Sequence, residues 1–398
     1  MRVEIVRLDD LGRGVAYVDG KITFVPKTIP GDIVRINITK EKKKFNEAEC
    51  LELIASSPSR IAAPCPYFAK CGGCQLQSLE YDKTIQYKKE KIDNILRKNK
   101  IVHEVEMIDN PKPYNYRNKI SLKVINGKIG YYLSGSHELI EVLACRIANL
   151  AINTCLSFVK TFNIINGEVV IRCNQNEEIL LVINSNDKLD IDVDKLKKHI
   201  KLVGIIINNK VYYGESYLFE RINNCLFKIS YDSFFQVNPY VASKLFQIVK
   251  DNIRANDKVL DLYCGVGTLS LMAGEKAKSV VGIEIVPNAI LNAIFNAQIN
   301  GLNNVKFLLN DVKDAINKIT LDFTKVIVDP PRSGLTKDII EVLLKIKPES
   351  IIYVSCDPQT LVRDYKLLMG GYVLEKAYAL DMFSYTYHVE SLWLLKRR

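Results

Sequence analysis

KVLDLYCGVGTLSL, running from Lys258 to Leu271, is the stretch that decides the fold. It reads as a short apolar strand, a glycine turn and the opening of a helix. Gly265 and Gly267 let the backbone turn tightly and approach a ligand, with a helix N-terminus behind them. GIEIVPNAI follows at residues 282–290, which puts Glu284 at the end of the next strand. A carboxylate there can bind both ribose hydroxyls of a nucleoside cofactor. A nicotinamide fingerprint would read G-x-G-x-x-G, but the sixth position is Ser270. Asp261, just ahead of the glycines, would repel a pyrophosphate. It suits a ligand that carries an ammonium, such as the methionyl amine of S-adenosylmethionine. An ordinary packing turn would explain the glycines but neither carboxylate.

Outward from this turn, short apolar strands alternate with helical patterns from about Tyr240 to the C-terminus. Such alternation predicts α/β architecture, a Rossmann-like parallel sheet wrapped by helices. Three further segments carry polar residues at strand ends: VIVDPPRSG (326–334), IIYVSCDP (351–358) and YHVESLWLL (387–395). Open α/β sheets bind ligands beyond the carboxyl ends of their strands, so Asp329 and Cys356 are expected to face the crevice that holds Glu284. Glu390 lies in a late strand, expected to be antiparallel, and reaches that crevice only if it points inward.

This set suits one chemistry. Carbon 5 of uracil is a poor nucleophile until a thiolate adds to carbon 6 and makes an enolate. A base must then remove the carbon-5 proton so that the thiol can leave. Cys356 is the candidate thiol and Glu390 the candidate base, since only four histidines exist and His388 alone lies near. Helix-start amides and Arg363 are expected to lower the thiol pKa. Taken singly, Cys356 would be a small buried apolar residue, Glu390 a solvated edge residue and Pro330-Pro331 a strand end. Only their joint position downstream of the turn makes the case.

Upstream, residues 1–56 show short alternating runs broken by Gly12, Gly14, Gly20 and Pro30-Gly31, the pattern of an OB-like β-barrel. KEKKKF (40–45) sets four lysines on one connection, either an RNA contact or a charged hairpin. Residues 57–235 are expected to form a central α+β unit. It opens with a loop to residue 75, then the basic helical segment LEYDKTIQYKKEKIDNILRK (79–98), then strand-like runs with a helix near 147–162. Residues 236–398 complete the three-part division.

Within CPYFAKCGGCQLQ, Cys65, Cys71 and Cys74 stand in a C-x5-C-x2-C spacing. With a fourth thiolate they could hold zinc or an iron–sulfur cluster, and ligand type alone does not decide between them. The spacing is not the C-x3-C-x2-C run of radical S-adenosylmethionine enzymes. Cys50, Cys155, Cys173, Cys225 and Cys264 read as core or loop residues.

The 55 basic and 45 acidic residues give a net charge of +10, compatible with a phosphate-rich partner. With 48% hydrophobic residues and mean hydropathy +0.01, the chain is ordinary globular protein. It contains no long uninterrupted apolar run, so no membrane partner is expected. The strand-like start MRVEIVRLDD is unlike a secretory signal. A cytoplasmic, monomeric protein with reduced cysteines and no obligate protein partner is expected.

On the DLYCG, GIE, DPPR, SCDP and HVE segments, the chain resembles the RNA uracil-C5 methyltransferases that form 5-methyluridine in ribosomal and transfer RNA. The resemblance spans nearly the whole chain, and its N-terminal segment is similar to the family's TRAM domain. It implies Cys356 as nucleophile and Glu390 as the base. It also implies S-adenosylmethionine held through Gln236, Tyr263, Glu284 and Asp329. Some relatives carry Asn where this chain has Thr268. Many members bind a four-iron, four-sulfur (4Fe-4S) cluster through three such cysteines and a distant fourth. Cys145 is similar to that fourth position, with Cys155 as its competitor.

Resemblance points first to 23S ribosomal RNA as substrate, second to the uridine-54-type T-loop site of transfer RNA. A uracil in structured RNA must be looped out or flipped to expose carbon 6. Phe234, Phe235, Tyr114 and Tyr116 are possible stacking residues, with core packing the commoner fate. Two rivals remain. Cytosine-C5 methyltransferases resemble a different motif set, with paired cysteines in TCS and PC contexts that are absent here. A non-catalytic iron–sulfur RNA-binding protein would have no use for Cys356 and Glu390.

Overall fold

The computed structural model describes residues 1–133, 135–316 and 322–398. The N-terminal strands are β1 (Arg2–Glu4), β2 (Arg7–Leu8), β3 (Gly14–Val18), β4 (Lys21–Val25), β5 (Ile33–Glu41) and β6 (Phe45–Ala55). They form a sheet in the order β1-β5-β6-β4-β3-β2. Because β1 and β2 are successive halves of one stretch, this order closes on itself, and Val6 donates across to the Val15 carbonyl at 2.9 Å. Register shifts between β5 and β6 supply the bend that closure needs. Ile5, Ala16, Val25, Val34, Ile36 and Ala48 fill the interior, so the expected barrel is present. Lys42, Lys43 and Lys44 sit exposed at the tip of the β5–β6 hairpin.

Helix α1 (Tyr81–Lys98) and strand β7 (Val105–Ile108) follow a long loop. The central sheet contains β8 (Lys119–Ile125), β9 (Lys128–Tyr132), β10 (Leu139–Glu141), β11 (Gly167–Cys173), β12 (Glu178–Asn184), β13 (Lys201–Ile207) and β14 (Lys210–Gly214). Its order is β10-β9-β8-β11-β12-β13-β14. Helix α2 (Leu150–Val159) packs on one face through Ile152, Cys155, Leu156 and Val159, and α3 (Val193–His199) adds Leu196. A hairpin of β15 (Tyr217–Ile222) and β16 (Cys225–Ser230) then leads to α4 (Pro239–Asp251).

The remaining strands are β17 (Lys258–Leu262), β18 (Ser279–Glu284), β19 (Val305–Leu309), β20 (Lys325–Val328), β21 (Ser350–Ser355), β22 (Tyr372–Leu380) and β23 (Glu390–Arg397). Helices α5 (Thr268–Gly274), α6 (Pro287–Ile299), α7 (Val312–Ile316), α8 (Lys337–Ile346) and α9 (Pro358–Leu368) intervene. The sheet order is β19-β18-β17-β20-β21-β23-β22-β7. The first five strands are mutually parallel, and β23 runs antiparallel between β21 and β22. Almost every residue of β17, β20 and β21 is buried, as a sheet covered on both faces requires.

The cores cross the expected boundary at residue 235. Ile92, Ile95 and Leu96 of α1, with Val105 of β7, pack into one face of this last sheet. On the opposite face Ile222, Phe227, Ile229 and Phe235 join α4 and α5. The physical reason is edge and face coverage. Strand β22 would otherwise be an open edge, and β7 pairs with it in parallel. Among the described residues no helix is long and apolar enough to cross a membrane.

Candidate active site

The glycine turn is built under backbone constraint. Gly267 caps α5 at φ 86°, and a Cβ there would come within 2.9 Å of Phe307 Cζ. Gly265 has φ 56° and faces open space, so only its conformation demands glycine. Tyr263 adopts φ 67° without being glycine, an uncommon backbone that turns the chain straight out of β17. The Gly265 amide donates to Glu284 Oε2 at 3.1 Å, while Glu284 Oε1 accepts from the Ile285 and Val286 amides at 2.8 and 2.9 Å. Glu284 thus ties the end of β18 to the turn.

Beside that turn lies a narrow cleft whose lining includes Gln236, Asp261, Tyr263, Thr268 and Asp329. Gln236 arrives from the loop before α4 and holds the Asn118 side-chain amide on its carbonyl at 3.1 Å. Asp261 is buried and accepts from the Ser270 hydroxyl at 2.5 Å. Burial, reinforced by the Asp329 and Glu284 carboxylates, pushes its pKa up to about 7. Burial likewise raises Asp329. Two carboxyls that resist ionisation until a cation arrives fit an ammonium-bearing ligand, as the sequence suggested for Asp261.

The chemical residues meet at the same edge of the sheet. Parallel strands end there, so Asp329 follows β20 and Cys356 follows β21. Strand β23 runs the other way, and its first residue, Glu390, starts at that edge. Ser355 pairs with Ser391, so one step along the register sets Cys356 opposite Glu390. Glu390 is 3% exposed, and burial with the nearby Asp329 charge raises its carboxyl well above the usual range. Glu390 is thus buried at this edge, close enough to Asp329 to sense its charge.

The thiol departs from expectation. Arg363 is turned away, with its guanidinium 2.7 Å from Asp364 and donating to the Ser333 carbonyl at 2.7 Å. Arg332, from the DPPR segment, takes the place beside Cys356. Even so, burial and the Glu390 carboxylate push the Cys356 thiol up, outweighing Arg332. The free protein therefore keeps this thiol protonated. His388 is held well below its ordinary value, near 4, by burial and by Arg332, Lys91 and Lys88. It is a neutral ring tilted against Tyr387, with the ring centroids 4.1 Å apart. Of the aromatic candidates, Phe235 and Tyr116 are core residues and Tyr114 stacks on Tyr385 at 4.6 Å. Phe234 is 69% exposed and lines the cleft.

Cys65, Cys71, Cys74 and Cys145 line one cavity of about 420 Å³, bounded by the cysteine loop and the segment before α2. Cys155, the competitor for the fourth position, is carried by α2 into the central core. The Cys145 amide and carbonyl are both engaged by the Asn153 side chain, which fixes that segment. The Lys27 ammonium, reaching over from the barrel, donates to the Cys71 and Cys74 carbonyls. Four soft donors around one cavity fit a thiolate-held group in kind. Among the described residues, however, no group of three or more His, Cys, Asp or Glu side chains is placed to hold a metal ion.

Sequence reasoning missed three residues: Arg332, and the buried pair Lys88 and Asp381. Arg332 stood in a quoted motif without a role. Lys88 had a signal in its helical spacing, since it falls on the apolar stripe of α1.

Two family models cover the chain. Residues 80–398 match the tRNA (Uracil-5-)-methyltransferase model, and residues 1–59 match the TRAM domain of tRNA (uracil(54)-C(5))-methyltransferase. An uncharacterized RNA methyltransferase of Halalkalibacterium halodurans is 34% identical, with 98% of this chain and 96% of the relative aligned. One from Aquifex aeolicus is 32% identical over 100% and 98% of the two chains. Among solved structures, the Pyrococcus abyssi tRNA (uracil-54, C5)-methyltransferase in complex with S-adenosyl-L-homocysteine superposes with TM-score 0.82 at 27% identity. That match covers 99% of this chain and all of that one.

Proposed function

We propose how the residues of this chain, which belongs to the tRNA (uracil-5-)-methyltransferase family and transfers methyl groups from S-adenosylmethionine to uracil carbon 5 in RNA, do so. The cofactor supplies an electrophilic methyl group on a sulfonium. Gln236, Tyr263, Glu284 and Asp329 would hold it, with Asp261 adding negative charge for its ammonium. The Cys356 thiol gives its proton to water, Sγ adds to uracil carbon 6, and the carbon 5–carbon 6 π pair moves onto the carbon-4 oxygen as an enolate. Carbon 5 then takes the methyl group. Glu390 removes the carbon-5 proton, the double bond re-forms, and the Cys356 thiolate leaves. Arg332 offsets the negative charge that passes among thiolate, enolate and carboxylate.

The observation that carries this reading is the register between β21 and β23, which sets Cys356 opposite Glu390 beside the cofactor cleft. Fluorine at carbon 5 cannot leave as a cation, so RNA carrying 5-fluorouridine should stop the reaction at the adduct. We expect wild-type protein with cofactor to form a complex that survives denaturation, and Cys356→Ala to bind the RNA without forming one. A wild-type protein whose Cys356 stays unmodified overturns the assignment.

For the RNA, large-subunit ribosomal RNA is the reading from sequence resemblance. The T-loop uridine of transfer RNA has specific observations in its favour: the barrel matches the TRAM model of uracil-54 enzymes, and the P. abyssi neighbour is such an enzyme. Mapping 5-methyluridine in both RNAs, with and without the protein, separates the two. The four cysteines around the shared cavity support a 4Fe-4S cluster whose role is structural or RNA-positioning, because the reaction above needs no electron transfer. Anaerobically purified protein should be brown and contain iron. Zinc without iron would overturn the cluster. RNA substrates and unpaired cysteines support a cytoplasmic setting.

A further inference from the structure

Helix α1 has a lysine on the face where an aliphatic residue belongs. Its buried positions are Thr84, Lys88, Ile92, Ile95 and Leu96, and Lys88 is 0% exposed. An ammonium stripped of water costs several kcal/mol unless fully partnered. Lys88 Nζ lies 2.5 Å from Asp381 Oδ1 and donates to the Phe383 carbonyl at 2.9 Å. Asp381 is equally buried, and its other oxygen accepts from the Tyr81 hydroxyl at 2.7 Å and the Ser384 hydroxyl at 2.6 Å. The Asn110 amide donates to Ser384 Oγ at 2.8 Å, completing a closed polar knot.

This knot grips the loop between β22 and β23, the segment that runs into Glu390. One turn further along α1, Lys91 Nζ donates to the Tyr387 carbonyl at 2.9 Å. Midway through the loop, Tyr385 takes φ 61°, and its carbonyl accepts the Gln75 and Leu76 amides, each at 3.0 Å. Apolar residues of similar volume usually stabilise a core as well as or better than a buried ion pair does. Direction is what the pair adds, since the ammonium fixes a carboxylate and a carbonyl of the same short loop at once.

We infer that Lys88 is a positioning residue for methyl transfer, holding the loop from Asp381 to Val389 so that Glu390 reaches carbon 5. The inference rests on the reading of Glu390 as the base. Cys356 lies outside this loop, between β21 and the start of α9. Loss of the lysine should therefore spare addition and methylation and slow proton removal, leaving the enzyme covalently attached to methylated RNA.

The test uses full-length protein, methyl-labelled S-adenosylmethionine and total RNA from cells lacking the enzyme. Lys88→Met should form S-adenosylhomocysteine in the first turnover within about twofold of wild type. Release of methylated RNA should slow about 10- to 100-fold, with labelled adduct accumulating on denaturing gels. Lys88→Arg, which keeps the cation, should recover much of the release rate. If Lys88→Met does not fold, Lys88→Met with Asp381→Asn removes both charges together and should show the same accumulation. Release at the wild-type rate in a folded variant overturns the inference, as does equal loss of methylation and release. Glu390→Gln, run in parallel, separates the two failures. No adduct with Glu390→Gln removes the base assignment, whereas an adduct with Glu390→Gln but none with Lys88→Met removes only the role of Lys88.

Discussion

Cys356 and the four cysteines upstream are the same side chain in opposite settings. Cys356 is half-buried at a sheet edge, with Arg332 on one side and two carboxyls on the other. Cys74 is buried among other thiols, and burial pushes its pKa up to about 12. From the barrel side Lys27 reaches that loop and donates to carbonyls rather than to sulfur. A thiol beside a movable charge balance can cycle between protonated and ionised forms. Thiols crowded in a half-closed cavity ionise together only when a cation compensates them. The contrast teaches that a cysteine's role is set by what can neutralise its anion.

The sharpest way to break this contrast is to exchange losses. Cys356→Ala should lower methyl transfer by about 10³-fold or more and leave iron content unchanged. Cys71→Ala should lose iron and yet form the 5-fluorouridine adduct at no worse than about a tenth of the wild-type rate. If Cys71→Ala abolishes the adduct, the two settings are not independent.

Next in size is Glu390→Gln. Elimination should slow about 10²- to 10⁴-fold while the first methyl transfer survives, which quantitative gel analysis of the adduct would measure.

A pH effect follows. The Cys356 pKa lies above its ordinary value of 9.0, so reactive thiolate grows as pH rises. Adduct formation by the free enzyme should therefore still be increasing at pH 9. Burial is the main cause of that rise, and Glu390→Gln removes the next contributor, so its profile should level off at somewhat lower pH. An unchanged profile would mean that the two groups do not sense each other.

The smallest effect concerns Asp261. Its folded pKa of about 7 lies above the ordinary 3.8, so folding favours the protonated form. That contribution is complete at low pH and is lost as pH rises through 7. Asp261→Asn should consequently melt about 2 °C higher than wild type at pH 8, show a gain that shrinks steadily as pH falls from 7 toward 4, and bind S-adenosylhomocysteine more weakly.

Much of this was open to a reader of the sequence because it is local. Each parallel strand is a short, mostly apolar run; Tyr263, Asp329 and Cys356 each follow one directly and Glu284 closes another, so much of the crevice could be assembled from strand ends. What stayed hidden depends on partners far away in the chain. Arg332 and Arg363 each follow an apolar segment, and only the turn of α9 toward Asp364 decides which one stands by the thiol. Lys88 lies in a helix rich in lysines, and nothing within that helix announces a carboxylate 293 positions later. The allegiance of β15 and β16 was equally silent, because an alternating hairpin packs on either neighbour.

That separation also bears on how the chain comes off the ribosome. Strand β7 emerges early but finds its partner, β22, only when synthesis is almost finished. Until then α1 and β7 present an apolar stripe and unpaired backbone to the cell, a standing invitation to chaperones and to misassembly. Nor would excising residues 236–398 yield a working catalytic fragment, since it would lack the strand that seals its own border and the helix that roofs it.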